Sequence, residues 1–186
     1  MKKILISVRP KWCEKIASGK KTIEVRKTAP KEVPFKAYIY CTKGKDGYEW
    51  LYRVDNNGYG KAQSWHGKVI GEFICDYVED FTPSEYGIRF KRFTALHETC
   101  LTVAEMREYA NGKPLYGWHI SDLKIYDKPK ELSELWGRKN CLAADTVECW
   151  NCFAACREIN GRRYQPLRRP PQSWCYIEET ALWTNK

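Results

Sequence analysis

The chain of 186 residues has no apolar run long enough to cross a membrane. Its basic start, Met1 to Arg9, contains only a very short apolar stretch and lacks the length and cleavage site of a signal peptide. No internal repeat is present, and the length suits one domain with a substantial core. We therefore predict a cytoplasmic protein with no membrane partner, in a compartment where stable disulfides are rare.

Histidine is scarce, and this bears on catalysis. The three histidines are His66, His97 and His119, and none has the spacing of a Ser-His-Asp or Cys-His arrangement. No pair of them forms the acid–base couple that a histidine-dependent ribonuclease needs. His119, beside Trp118 in a predicted strand, is typical of a structural residue. The histidines therefore give no support to an enzymatic function.

Acidic residues are outnumbered by basic ones, 23 to 32, which gives a net charge of +9. This surplus favours a polyanionic partner such as nucleic acid, because neutralising phosphates releases counterions. The chain also carries eight tryptophans and twelve tyrosines. Aromatic rings can stack on bases, although we expect most of these rings in the core. A hydrophobic content of 43% excludes a disordered chain.

The nine cysteines need an explanation other than disulfides. Cys149 and Cys152 have the spacing of a zinc knuckle, and Cys141 and Cys156 would complete a tetrahedral structural zinc site. Alternatively, residues 145–156 form a helix in which Cys149, Cys152 and Cys156 share one buried stripe. Both interpretations remain open. The other five cysteines lie in predicted core positions: Cys13, Cys41, Cys75, Cys100 and Cys175.

Hydrophobic patterns predict many short strands and two or three short helices. The helices are a segment from Pro10 that stops at Gly19, one opened by a capping box at Thr102 and Glu105, and a short helix or turn over 129–135. Strands are predicted at 5–8, 20–26, 36–42, 68–77, 118–126 and 174–178. Two segments interrupt this pattern: a hairpin or loop at 43–66, and a Cys- and Arg-rich segment at 137–168. The predicted fold is α+β, a small mixed β-barrel.

The run from Gly19 to Arg26 concentrates charge on a predicted strand. Alternation places Ile23 and Val25 on one face, and Thr22, Glu24 and Arg26 on the other. Lys21 stands at the entrance to the strand. Fixed charges of both signs at one edge can hold a polar ligand. The alternative is a solvated strand with an ordinary and weak Glu–Arg pair.

Gly19-x-Lys21-x-x-Glu24-x-Arg26 resembles the signature of the ASCH domain, a member of the PUA-like superfamily of small β-barrels. Segments 6–10, 67–73, 116–123 and 169–176 resemble the same family in the same order. The resemblance implies one ASCH domain over residues 1–179, with a C-terminal tail at 180–186. The chain is similar to the longer variants carried by phages and prophages.

The resemblance also implies a binding cleft. In this cleft, cations would hold a phosphate or a polarised carbonyl. Glu24 would accept a hydrogen bond from an exocyclic amine or orient Arg26. Either Trp118 or Trp174 would stack on a base, with core packing as the alternative for each. The implied ligand-binding residues are Arg9, Lys21, Glu24, Arg26, Trp118, Gln172, Ser173 and Trp174. Four further arginines would extend the positive electrostatic field of the cleft along a strand of RNA: Arg162, Arg163, Arg168 and Arg169.

We therefore expect binding of RNA or of a modified nucleotide. Some ASCH proteins are acetylcytidine amidohydrolases that use a lysine of this motif with a threonine and a glutamate. Lys21 matches that lysine, but Glu24 stands where the threonine is expected. A carboxylate beside Lys21 favours the charged ammonium, which predicts a poor base and no efficient turnover. The resemblance is also compatible with a ribonuclease, and with a phage protein–protein adaptor that uses the two interrupting segments as its contact surface.

Overall fold

The computed structural model describes residues 1–44, 51–54, 60–84, 87–90, 92, 94–138, 156–159 and 162–178. In chain order, the elements are β1 (Lys2–Val8), α1 (Pro10–Ala17), β2 (Ile23–Arg26), β3 (Phe35–Cys41), β4 (Leu51–Val54), β5 (Gly60–Gln63), β6 (Lys68–Cys75), β7 (Val78–Ser84), β8 (Gly87–Arg89), α2 (Ala95–Thr99), α3 (Val103–Ala110), β9 (Leu115–His119), β10 (Ser121–Glu131), a 3₁₀ helix (Leu132–Glu134), β11 (Trp136–Arg138), β12 (Arg157–Ile159), β13 (Arg162–Pro166) and β14 (Trp174–Glu178).

The larger sheet has eight strands in the order β10-β6-β3-β1-β14-β11-β13-β12. Its central strand, β1, pairs parallel with β3 and antiparallel with β14. A parallel pair needs a crossover connection, and α1 together with β2 supplies it. Because β1 is buried on both faces, it reads as a nearly continuous apolar run from Ile4 to Val8.

The smaller sheet has the order β2-β9-β7-β8 and packs against one face of the larger sheet. The chain passes between the sheets where β9 runs into β10, and Asp122 adopts a positive φ of 46° near this corner. The core between the sheets includes Ile6, Ile39 and Trp118. A second core lies between the smaller sheet and the helices α2 and α3, and includes Val25 and Met106.

The predicted α+β class is confirmed, but the larger sheet is open. Its order ends at β10 and β12, and across the described ranges no hydrogen-bonded ladder joins these two strands. The physical reason is that β2, β7, β8 and β9 form a separate sheet, from which the chain enters the β10 edge of the larger sheet. That smaller sheet closes the core by face-to-face packing, which buries the inner side chains without a ring of strands.

Two helices, α1 and α3, begin and end as their sequences predict. Pro10 occupies the first position of α1, and Gly19 follows its end with a φ of 72°. At the start of α3, the hydroxyl of Thr102 accepts a hydrogen bond from the backbone amide of Glu105. The carboxylate of Glu105 in turn accepts a hydrogen bond from the backbone amide of Thr102. None of the described helices has the length and apolar character that a membrane span requires.

Some elements lie outside the sequence prediction. The strands β7, β8, β12 and β13 and the helix α2 were not predicted. Within 43–66, β4 and β5 pair as an antiparallel hairpin. Within 137–168, β13 pairs with β11, which in turn pairs with β14, so the described part of this segment extends the larger sheet.

Candidate functional site

A cleft of about 750 Å³ opens beside the first turn of α1. Its floor is the polar face of β2, with Lys21, Glu24 and Arg26. One wall comes from the start of α1 and the other from α3, and Gln172 contributes from the loop before β14. The cleft therefore collects residues from segments that are far apart in the sequence, as the family resemblance implies.

The floor is a carboxylate held between two cations. Glu24 Oε1 lies 3.0 Å from Arg26 Nη2, and Glu24 Oε2 lies 3.5 Å from Lys21 Nζ. The side chains of Lys21, Glu24 and Arg26 are only 2, 7 and 9% exposed. The charged face predicted for β2 is thus buried, and the alternative of a weak, solvated pair does not hold.

Burial changes the expected chemistry of Lys21. Its ammonium donates to the carbonyl oxygen of Thr99 at 2.6 Å, at the end of α2. Burial lowers the pKa of Lys21 from its ordinary value of 10.5, and the nearby Glu24 carboxylate only partly opposes this. The sequence-based expectation that Glu24 would dominate and favour the ammonium was wrong, because it did not account for desolvation.

Arg26 links the floor to the larger sheet. Its Nη2 donates to the carbonyl oxygen of Ser7 at 2.6 Å. Ser7 in turn donates its hydroxyl to the Pro171 carbonyl at 2.6 Å and its amide to the Ser173 carbonyl at 2.9 Å. One chain of contacts therefore joins β2, β1 and the loop before β14, and this chain sets the position of Gln172 at the rim.

Two buried polar atoms of the floor have no hydrogen-bond partner among the described residues. They are Glu24 Oε2, which is an acceptor, and Arg26 Nε, which is a donor. Buried polar atoms are normally satisfied by protein or by ordered water. Both atoms are shielded from solvent, and Glu24 Oε2 also lies beside the Lys21 ammonium, so a polar group in the cleft can reach them only if these side chains shift.

Aromatic rings line the walls, and the sequence pattern did not identify them as binding residues. The Trp12 ring lies 4.5, 5.4 and 5.2 Å from the ammonium groups of Lys11, Lys15 and Lys21. On the opposite wall, Tyr109 is 39% exposed, and its ring lies 5.0 Å from Lys27 Nζ. Such spacings are typical of cation–π contacts.

The sequence contains only a weak signal for these rings. Trp12 fits the apolar stripe of α1, so its periodicity indicates core packing and not a cleft wall. Tyr109 lies on α3, which the sequence does not connect with α1. Partial burial raises the pKa of Tyr109, which keeps its hydroxyl protonated at neutral pH.

The charges of the two walls differ. Arg9, at the N-terminus of α1, is exposed and forms no ion pair within the part of the chain that the structure describes. The opposite wall carries Glu105 and Glu108. Lys11 Nζ lies 3.9 Å from Glu105 Oε1, so this exposed pair spans from α1 to α3. The cleft therefore has a cationic side and an acidic side.

The tryptophans implied by the resemblance do not line this cleft. Trp118 is completely buried and packs edge-on against Phe35 at 5.1 Å, so its proposed role in base stacking was wrong. The physical reason is that β9 lies between β2 and β7, and Trp118 fills the core beneath it. Trp174 is partly exposed and donates its Nε1–H to Thr28 Oγ1 at 3.0 Å, next to the cleft.

The predicted basic run is divided in the structure. Arg168 and Arg169 are exposed in the loop that leads to β14. Arg162 and Arg163 belong to β13, which β11 separates from β14. The four arginines therefore do not form a single continuous row along the cleft.

The cysteine prediction falls mostly outside the described residues. Cys141, Cys149 and Cys152 are not described, whereas Cys156 is partly buried. The described ranges contain no group of three or more metal-binding side chains. The predicted zinc site therefore stays a prediction. The cysteines assigned to the core are buried or partly buried: Cys13, Cys41, Cys75, Cys100 and Cys175.

Comparison with known proteins gives a match in structure only. No protein-family model and no curated protein sequence matches the chain. The crystal structure of ASCH from Zymomonas mobilis matches with a TM-score of 0.54 and 18% identity, over 95% of this chain and 88% of that one. A single-residue variant of the same protein gives a TM-score of 0.54 and 18% identity, with coverages of 96% and 91%. The chain therefore has the fold of an ASCH domain.

Proposed function

We propose that the cleft binds a nucleotide, either as a unit of RNA or as a modified nucleotide. The observation that carries this proposal is the buried group of Lys21, Glu24 and Arg26 at the floor of a cleft with aromatic walls. Such a floor suits a ligand whose polar edge both donates and accepts hydrogen bonds. A nucleobase has such an edge together with an aromatic face and a phosphate.

The two walls support this assignment. Trp12 and Tyr109 are partly exposed rings that offer stacking surfaces. Arg9 is a cation at the N-terminus of α1, where it can contact a phosphate without breaking an ion pair to any of the described residues. The acceptor Glu24 Oε2 and the donor Arg26 Nε would match the hydrogen-bonding edge of a base once a shift of the floor side chains exposes them. The net charge of +9 favours the same class of ligand.

Variants of the walls test this function better than variants of the floor. Removing one member of a buried charged group destabilises the fold, so lost binding in Lys21→Ala would be ambiguous. Arg9→Ala and Trp12→Ala change accessible side chains. We expect Arg9→Ala to weaken RNA binding and to reduce the slope of log affinity against log salt by about 1. Arg168→Ala should lower the salt dependence without removing binding.

The measurement is fluorescence anisotropy with a labelled single-stranded RNA at two salt concentrations. The matched control is Arg107→Ala, which removes an exposed cation from α3 outside the cleft. Equal losses in Arg9→Ala and Arg107→Ala would point to non-specific attraction by the net charge and would contradict the proposed site. Absence of RNA and nucleotide binding at low salt would refute the function.

One observation favours a second candidate, a nucleoside hydrolase. The lowered pKa of Lys21 makes this lysine a better base than its sequence context indicates. Glu24 still stands where the resemblance implies a threonine, so we expect little release of acetate from acetylcytidine. Acetate release that disappears in Lys21→Met, while circular dichroism stays unchanged, would favour this candidate over binding alone.

Structural zinc is a separate proposal based on the sequence. Tetrahedral coordination by Cys141, Cys149, Cys152 and Cys156 would hold about one zinc ion per chain. Metal analysis of the purified protein tests this, and Cys149→Ser should release the ion. The matched control is Cys175→Ser, which changes a partly buried cysteine outside the segment. Protein without zinc, in which all four thiols react only after unfolding, would favour the buried stripe.

A further inference from the structure

The strand β14 carries two aromatic side chains beside the cleft that the proposed function has not used. Trp174 and Tyr176 occupy alternate positions, opposite Ile6 and Ile4 of β1. They therefore lie on the face of the larger sheet that carries the main core. Ile4 and Ile6 are fully buried, whereas Tyr176 is 44% exposed and Trp174 is partly exposed. This aromatic pair is thus an accessible part of that face.

The rings are held in place by their neighbours. Trp174 donates its Nε1–H to Thr28 Oγ1 and packs edge-on against the buried Trp118, with centroids 5.9 Å apart. Tyr176 packs edge-on against Trp174, with centroids 5.3 Å apart and planes at 88°. Because these contacts restrict the rings before any ligand binds, little entropy is lost when a base stacks on them.

The aromatic pair is adjacent to the cleft along two paths. Lys27 lines the cleft, and the next residue, Thr28, holds Trp174. Gln172 also lines the cleft and lies two residues before Trp174. Two residues of extended chain span about 6.6 Å. The cleft and the aromatic pair are therefore close enough for neighbouring nucleotides of one strand.

The charge around the pair suits a phosphate backbone. Lys2 Nζ lies 5.6 Å from the centroid of the Tyr176 ring, and its ion-pair partner is the exposed Glu32 at 2.6 Å. Further exposed cations lie in the two segments that flank the pair: Lys27 and Lys31 beside Thr28, and Arg168 and Arg169 before β14. Aromatic rings flanked by exposed cations are typical of surfaces that bind single strands.

We propose that Trp174 and Tyr176 form a second stacking subsite, for the nucleotide next to the one in the cleft. The ligand of this protein is then single-stranded RNA of at least two nucleotides and not a free nucleotide. This inference rests on the proposed function of the cleft. It implies that the bound RNA strand runs from Trp12 and Tyr109 in the cleft to Tyr176 on β14.

The test compares two probes on the same protein. One is a fluorescent single-stranded hexaribonucleotide of mixed sequence, and the other is a set of the four ribonucleoside monophosphates measured by calorimetry. We expect the hexamer to bind more tightly than any monophosphate. Tyr176→Ala should weaken hexamer binding by about 5- to 100-fold, as expected for the loss of one stacked base, and should leave monophosphate binding unchanged.

Two further variants make the result specific. Tyr176→Phe keeps the ring and should retain hexamer affinity within about twofold of the wild type. Tyr77→Ala is the matched control, because Tyr77 is also 44% exposed and its ring packs on His119, away from β14. It should leave hexamer affinity unchanged. Circular dichroism of each variant confirms that the fold is intact.

The outcomes separate this inference from the proposed function. Hexamer affinity that is unchanged in Tyr176→Ala, or no greater than monophosphate affinity, overturns the second subsite and leaves the cleft standing. Hexamer binding that depends on Tyr176 but not on Arg9 or Trp12 supports the stacking surface and refutes the cleft. Absence of binding to either probe refutes both.

Discussion

The smaller sheet carries one buried carboxylate beside two basic side chains on each of its faces, and the two groups differ in their surroundings. On the inner face, Glu24 lies between Lys21 and Arg26, at the floor of the cleft. On the outer face, Glu79 Oε2 lies 3.5 Å from both Arg92 Nε and His119 Nε2. The two carboxylates are similarly buried, at 6% and 0% exposed.

The difference lies in the exposure of the basic side chains. Lys21 and Arg26 are almost completely buried, whereas the side chains of Arg92 and His119 are 42% and 21% exposed. Water can therefore solvate the basic side chains of the outer group, but hardly those of the inner group. The inner group faces the cleft, whereas Arg92 also binds Glu98 of α2 at 2.6 Å. We infer that the inner group serves recognition and that the outer group attaches a helix to the sheet.

The largest effect should come from Glu24→Gln. This change leaves the buried cations Lys21 and Arg26 without a counter-charge, so we expect a loss of about 3–5 kcal/mol in the free energy of unfolding. Urea denaturation followed by fluorescence measures it. Glu32→Gln is the control, because the side chain of Glu32 is 66% exposed in its pair with Lys2. A loss below about 1 kcal/mol would mean that water solvates the floor, contrary to its burial.

Glu79→Gln makes the same chemical change on the other face and should reduce the free energy of unfolding by less than Glu24→Gln does. The basic side chains beside Glu79 keep contact with water, so we expect a loss of about 1–3 kcal/mol in the free energy of unfolding, which is the range for a buried polar group that loses a partner. The same urea titration compares the two variants directly. A loss equal to or larger than that of Glu24→Gln would contradict the comparison, because it would show that exposure of the neighbouring basic side chains does not decide the loss of stability.

A smaller effect, with a defined pH dependence, is expected from the Arg92–Glu98 pair and is measured with Arg92→Ala. The hydrogen bond from Arg92 lowers the pKa of Glu98 below its ordinary value of 4.5. The stabilisation is therefore fully present above pH 4.5 and is lost as the pH falls through the lowered value. Both side chains are partly exposed, so this pH-dependent part should be less than about 1 kcal/mol at neutral pH, and loss of the contact between Arg92 and the buried Glu79 adds a further cost.

The check is urea unfolding of wild type and Arg92→Ala at pH 7 and in acid. The difference between the two proteins should shrink as the pH falls. Arg107→Ala, which removes an exposed cation of α3, should show no such trend. A difference that stays constant across the pH range would show that Arg92 acts through packing and not through its charge.

Local features of this chain were predictable because their causes are local. Alternation along β2 placed Ile23 and Val25 in the core and Glu24 and Arg26 on the opposite face. The capping box at Thr102 and the turn at Gly19 depend on side chains and dihedral angles within a few residues. The spacing of the ASCH-like motifs therefore identified both the fold and the floor of the cleft.

Other features depend on contacts that the local pattern does not contain. The burial of Trp118, the placement of Trp12 and Tyr109 on opposite walls of one cleft and the open edges of the larger sheet each depend on the packing of distant elements. The lowered pKa of Lys21 is the clearest example. The amino-acid order shows that a carboxylate stands three residues from Lys21. That burial outweighs this carboxylate follows only from the folded protein, because desolvation depends on everything packed around the ammonium.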